Sequence, residues 1–190
     1  HSSKKNVARL LKFADKPYIT LIQAQCGSAS QARNTILDWA DEQLDVQWVA
    51  RLDADDEFAT ATSLEKSVRI GEKSGKSAVL AGNQLSIDGA LNSNINYPKQ
   101  IWLDEPQQLV SFIERFCSGQ TQHELPSCNL VLANHSRLRY PNLKSAEDHW
   151  LVAMLLLLQP EKVVLATDNI YCNYSLNGIT TEKNKANRTW

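Results

Sequence analysis

Three aspartates close the apolar stretch Val46-Gln-Trp-Val-Ala-Arg-Leu-Asp-Ala-Asp-Asp56, and that arrangement restricts what the chain can become. Val46, Trp48, Ala50 and Leu52 alternate with Gln47, Val49 and Arg51. That is the period of a strand packed on at least one face. Asp53, Asp55 and Asp56 then follow where the strand stops. Carboxylates this close repel one another, and a divalent cation offsets the repulsion, because hard cations take oxygen ligands and bridge protein carboxylates to phosphates. In an open α/β sheet, ligands also bind just beyond the carboxyl ends of strands. A solvated acidic loop is the plain alternative for any such short motif. The position directly after a buried strand favours a ligand site.

The rest of the composition narrows the field. A chain of 190 residues supports one domain with a sizeable core. With 43% hydrophobic and 22% charged residues, it has an ordinary soluble globular balance. A net charge of −1 supplies no basic field, so a nucleic-acid partner is not expected. Cys26, Cys117, Cys128 and Cys172 form no C-x-x-C pair, which argues against a zinc cluster and for a reduced compartment. No signal-peptide pattern is visible, and the apolar run Trp150 to Leu158 is far shorter than a membrane span.

Along the chain, helical and strand patterns alternate. Val7, Leu10, Leu11 and Phe13 have helical spacing, and Tyr18 to Ala24 reads as a strand. Gly27 supplies a turn, and Ser28 with Gln31 is a capping-box signature. The helix that follows shows Ala32, Ile36, Trp39 and Ala40 on one face and ends near Glu42. Arg33 and Asn34 fall in its first turn, where a cation needs a bound anion or a carboxylate such as Asp53 to offset the helix dipole. An Arg splayed into solvent is the alternative.

Ala59 to Ser74 reads as a helix with Leu64, Val68 and Ile70 inward, and Ser77 to Gly82 as a strand covered on both faces. Residues 83–101 suggest loops or a short hairpin. Asp104-Glu105-Pro106 starts a helix whose buried face is Leu109, Phe112, Ile113 and Phe116. Pro126 to Ala133 is a further strand, followed by a loop with His135, Arg137 and Arg139. Glu147 and Asp148 open the apolar helix that runs to Leu158, where simple capping would explain them. Lys162 to Thr167 is the last clear strand, and Thr181 to Trp190 a polar tail. His135 and His149 are left out of any metal set.

Gly27-x-x-x-x-Ala32-Arg33-Asn34 opening a helix, then a strand ending Leu52-Asp-Ala-Asp-Asp56, resembles the nucleotide-sugar half of a family 2 glycosyltransferase with the GT-A fold. The resemblance implies an α/β fold with a mixed, mostly parallel sheet flanked by helices. It implies Arg33, Asn34, Asp53 and Asp55 as donor-binding residues, Asp53 towards the ribose. Asp55, with Asp53 and Asp56, would hold Mn²⁺ or Mg²⁺. The later Glu147-Asp148 matches the family's catalytic pair, with Asp148 as base and Glu147 in reserve; Trp150 could stack on an acceptor sugar, but a core position is the preferred reading for it.

His1-Ser2-Ser3 looks like the end of the family's Asp-Asp-Gly-Ser-x-Asp signature, so the first strand, helix and second strand of the fold are expected to be lacking. Tyr174-Ser-Leu-Asn-Gly-Ile-Thr180 resembles the family's tail without its His, which puts a diphosphate contact there in doubt. Residues 1–82 would form the donor half, 83–180 the acceptor-side half and 181–190 a tail, all within one domain. The implied activity is metal-dependent, inverting transfer from a nucleotide-sugar, UDP-linked by preference, to a hydroxyl of a glycan or lipid-linked acceptor in polysaccharide biosynthesis. A cytoplasmic site follows, with any contact at the inner membrane face made through segments outside this chain. Two other readings stand beside it: a non-catalytic GT-A-like glycan- or nucleotide-binding module, and a nucleotidyltransferase. The second lacks its expected Gly-rich phosphate loop.

Overall fold

A computed structural model describes residues 4–87, 90–118, 120, 129–143 and 146–175. The readings of His1-Ser2-Ser3, Cys128, the end of the tail after Ser175 and residues 181–190 lie outside them. Among the described residues the α-helices are α1 (Lys4–Leu11), α2 (Ala29–Asp41), α3 (Ser63–Ser74), α4 (Ile101–Asp104), α5 (Pro106–Cys117) and α6 (Glu147–Leu158). The strands are β1 (Trp48–Ala50), β2 (Glu57–Phe58), β3 (Ala78–Ile87), β4 (Ala90–Asn96), β5 (Leu130–Ala133) and β6 (Val163–Ser175). They form one sheet in the order β1-β5-β3-β6-β2, with β4 paired to β3. Among the described residues no helix is long and apolar enough to cross a membrane.

The core follows from the two-residue period of β3. Ala78 and Leu80 point into a cluster with Leu37 of α2, Trp102 of α4, Leu109 and Phe112 of α5, and Leu151, Leu155 and Leu156 of α6. Val79 and Ala81 point the other way, towards Tyr171 and Cys172 of β6 and Leu64, Val68 and Ile70 of α3. The sheet is thus covered on both faces, as the unbroken apolar run in β3 requires. The inward positions expected for α3 and α5 are the ones that pack. β3 also crosses residue 82 without a break, so both halves of the chain share one sheet.

Three expectations are corrected. The sheet is mixed, as expected, but mostly antiparallel: among the described strands β1 with β5, β5 with β3, β3 with β4 and β2 with β6 pair antiparallel, and only β3 with β6 is parallel. Burial on both faces makes a strand apolar whatever its direction, so composition does not reveal polarity. β5 runs back between β1 and β3, leaving those two strands parallel, with the end of β1 at Ala50 level with Val79 near the start of β3. Tyr18 to Ala24 forms no strand, and Tyr18, Leu21 and Ile22 are exposed. β-Propensity describes fit to a half-buried pleated surface, and no described strand pairs with this segment. On α2 the buried apolar residues are Leu37 and Ala40, while Ile36 is exposed.

One smaller departure, in α3, and one feature that meets expectation, the hairpin, have local causes. α3 starts at Ser63 rather than Ala59 because the Ser63 hydroxyl accepts the Thr60 N–H at 2.9 Å and donates to the Ile170 carbonyl at 2.9 Å. Ser and Thr hydroxyls compete in this way with helical hydrogen bonds. Residues 83–101 contain a true hairpin, β3–β4, in which the Gln84 amide donates to the Asn92 carbonyl at 2.7 Å. Gly82 lies where the β3–β6 register shifts, and a Cβ there would come within 2.6 Å of the Tyr97 ring.

Gly71, buried in α3, lies against the indole of Trp48 on β1. A Cβ at Gly71 would meet Cζ2 and Cζ3 of that ring at 2.9 Å, and Cη2 closer still. In an exposed helix, Gly→Ala stabilises by roughly 1 kcal/mol. Here Gly71→Ala should instead destabilise by about 1–3 kcal/mol, the usual cost of overpacking. Urea unfolding of the two proteins checks the sign.

Candidate functional site

The first turns of α2, the end of β1 and the start of α6 converge on one cluster of charges. α2 begins where the sequence places it: the Ser28 hydroxyl accepts the Gln31 N–H at 3.2 Å, and the Gln31 side chain accepts the Gly27 N–H at 2.6 Å. Residues 30, 33, 34 and 37 then share one helical face. Ser30 donates to the Leu143 carbonyl at 3.2 Å. Asn34 holds the Tyr140 backbone from both ends, donating to its carbonyl at 2.9 Å and accepting its N–H at 2.8 Å. These bonds dock α2 onto the segment leading into α6 and aim Arg33 across it.

Arg33 pairs closely with Glu147 and lies 3.7 Å from Asp53, with its guanidinium over the Tyr140 ring at 5.4 Å. The conflict of a cation at a helix N-terminus is therefore resolved by carboxylates. Arg51, directly after β1, grips Asp53 by two nitrogens: Nε donates to Oδ1 at 2.8 Å and Nη2 to Oδ2. Its third nitrogen, Nη1, donates to Asp148 Oδ2 at 3.0 Å. The Tyr171 hydroxyl donates to the Arg51 carbonyl at 2.6 Å, tying β6 to the end of β1.

α6 enters the cluster through a strained residue. Ala146 has φ 58°, the left-handed region that a non-glycine residue adopts only where its surroundings compel it. Glu147 and Asp148 follow at once. Glu147 is only 5% exposed although charged, which its pairing with Arg33 offsets. Asp148 Oδ1 accepts the His149 N–H at 2.9 Å and lies 3.1 Å from His149 Nδ1, whose ring stacks on Phe116 at 4.6 Å. Burial alone would raise the pKa of Asp148. The His149 hydrogen bond and the charges of His149, Arg51 and Arg33 outweigh it and hold the carboxyl well below the usual range.

The remaining carboxylates occupy the turn after β1. Asp56 Oδ1 accepts the Ser175 N–H at 2.9 Å, yet its pKa is pushed up to about 6, by burial first and then by Asp53 and Asp55. Asp55 is exposed. Five carboxylates thus face two guanidiniums, and the excess of negative charge sits at the turn. Among the described residues no three His, Cys, Asp or Glu side chains converge as a ready-made metal cage. Asp53 already spends both oxygens on Arg51. Asp55 and Asp56 remain, a donor set that fits a hard cation arriving with a phosphate, since Mg²⁺ commonly uses one or two carboxylates and completes its shell with phosphates and water.

The structure therefore brings Arg33, Asp53, Glu147 and Asp148 together, leaves Asn34 on the Tyr140 backbone, and leaves Asp55 and Asp56 at the margin. Arg51, His149 and Tyr171 were not among the expected site residues. Arg51 had one readable signal: two positions from Asp53 in extended chain, it shares that residue's side. The chain matches no family model and no curated protein sequence.

Asp56 gives a signed prediction. A carboxyl whose folded pKa is raised from 3.8 to about 6 contributes stability below pH 4 that is lost as pH rises through 6. Asp56→Asn keeps an oxygen for the Ser175 N–H and cannot ionise. In chelator, its melting temperature should equal that of the parent near pH 4 and exceed it at pH 7.5. Melts across that range check this.

Proposed function

We propose that this domain transfers a sugar, with inversion, from a nucleotide-sugar donor to a hydroxyl of a glycan or lipid-linked acceptor. The observation that carries the reading is the meeting of a strand-end carboxylate cluster with the Glu147–Asp148 pair, distant in sequence and joined through Arg51 and Arg33. The mixed sheet flanked by helices, with β1 and β3 parallel on either side of β5, is compatible with a GT-A-type arrangement. On this reading the acceptor oxygen attacks the anomeric carbon as the bond to the diphosphate breaks on the opposite face. The hydroxyl proton passes to the Asp148 carboxylate, and the nucleoside diphosphate leaves.

Asp148 is ionised and held in place, but a carboxylate so far below its usual range accepts protons weakly. Arrival of an anionic donor beside Arg51 and Arg33 draws their charge away from Asp148 and raises its basicity. Glu147 keeps Arg33 aimed at the same region. Asp55 and Asp56 would hold Mn²⁺ or Mg²⁺, which supplies electrostatic stabilisation of the departing diphosphate. On this reading Asp53 would contact the ribose.

One observation favours a second reading, a binding module that recognises nucleotide or glycan without turnover: every described carboxylate oxygen of Asp53 and Asp148 already has a partner. A melt with UDP, with and without Mn²⁺, separates the cases. Ligand at 100 times its dissociation constant adds about 2.7 kcal/mol to the folded state. The transferase reading expects a metal-dependent rise that Asp55→Ala removes. It also expects Asp148→Asn to abolish transfer, a loss of about 100-fold or more, while the UDP shift is kept. Turnover retained in Asp148→Asn would sink it, and a metal-independent shift with no turnover would favour the binding module.

A further inference from the structure

We propose that Arg51 is a positioning residue, one whose guanidinium, clamped on Asp53, aims its remaining nitrogen at Asp148 and makes the placement of one carboxylate depend on the other. The inference rests on the transferase reading for its catalytic consequence, but its physical content does not. A guanidinium is planar and presents its donors in a fixed fork. Nε and Nη2 are taken by Asp53, which sets the plane, and Nη1 then reaches Asp148 Oδ2 at 3.0 Å. Asp53 and Asp148 make no hydrogen bond with each other and belong to different elements, the turn after β1 and the first turn of α6.

The clamp is held from behind. The Arg51 carbonyl accepts the Tyr171 hydroxyl at 2.6 Å, and Tyr171 is fully buried on β6 with Phe58 edge-on to its ring at 5.4 Å. The side chain of Arg51 is only 13% exposed, so the charge cannot swing into water when it loses a partner. The groups around Asp148 are His149 and Glu147 on its own helix, Arg51 from β1, Arg33 from α2 and the Tyr140 phenol. Of these, Arg51 alone also holds Asp53 by two nitrogens; Arg33 approaches Asp53 only to 3.7 Å. Lysine keeps the charge but has no fork, so charge and aim can be separated by substitution.

The test has two arms. The first needs no activity: Asp53→Asn, Asp148→Asn and the double variant are melted in the parent and in an Arg51→Gln background. With Arg51 present, either carboxylate partly satisfies the guanidinium and removing both strands it, so the double variant should fall several degrees below the sum of the singles. Without Arg51, only repulsion between the two carboxylates remains, and the double variant should lie at or above the sum. The same deviation in both backgrounds, or none in the parent, overturns the proposal.

The second arm assays transfer by Arg51→Lys, with Arg51→Gln beside it. The proposal expects both to lose kcat by about 100-fold, the effect of a displaced catalytic group, with donor KM changed less than about 3-fold in Arg51→Lys, which keeps the charge beside the donor. Lysine restoring kcat overturns the claim that aim rather than charge matters. The two arms fail separately. No turnover in the parent protein, with the sign change still present in the melts, removes the transferase reading and keeps the coupling. An active protein without the sign change does the reverse.

Discussion

Strand β3 has three partners, and everything that approaches the candidate site is built outward from it. β5 pairs with its first residues, β6 runs beside most of its length and β4 folds back on its end. Its residues Ala78 to Ala81 are fully buried and alternate between two helical layers. That four-residue run leaves no room for a polar side chain on either face, so the chemistry is displaced to where strands stop. β1 stops at Ala50, Arg51 follows, and the turn behind it carries Asp53, Asp55 and Asp56. Tyr171, fully buried at 0% exposure, reaches from β6 to the Arg51 carbonyl and so transmits the position of the central sheet to the charged cluster.

The cluster itself is held by an imbalance. Glu147 and Asp148 are drawn in by Arg33 and Arg51, and Asp53 is shared between the two guanidiniums. Buried ion pairs of this kind contribute little net stability, because desolvation offsets the Coulomb attraction, but removing one partner leaves a costly bare charge. The network is therefore better understood as a positioning device than as a source of stability. Negative charge remains in excess at Asp55 and Asp56, and the raised pKa of Asp56 is where that excess is felt. A site of this sign is unfit to receive a diphosphate alone, which is why the transferase reading includes a divalent cation.

Much of the secondary structure was legible because its causes are local. The Ser28–Gln31 cap, the Pro106 start of α5, the continuous apolar run that opens β3 and the apolar run of α6 all appear where the residues place them. Face and polarity were less legible. α2 hides Ser30, Arg33 and Asn34 on the same side as Leu37, so its inward face is partly polar, and a reading based on apolar spacing chose Ile36 instead. Those polar residues are inward because their partners, Leu143, Glu147 and Tyr140, arrive from more than a hundred residues later. Asn134 likewise closes the turn between α2 and β1, its amide donating to the Ala40 and Val46 carbonyls at 2.7 and 3.0 Å.

The sequence by itself determined the mixed α/β class, the burial of β3 and the crowding of three aspartates behind a strand, since each depends on residues within a few positions of one another. It also marked Arg33 as a cation to be met by a bound anion or a carboxylate such as Asp53, or else splayed into solvent, because the dipole of its own helix is a local property. Which carboxylate answers was decided only by the tertiary structure. Spacing along the chain carries no information on where β5 inserts, and that insertion, with the docking of α2 on Tyr140, sets α6 against β1. Arg51 gains its place between Asp53 and Asp148 in the same step, for a guanidinium can bridge two carboxylates only after the fold has brought both within about 3 Å of it.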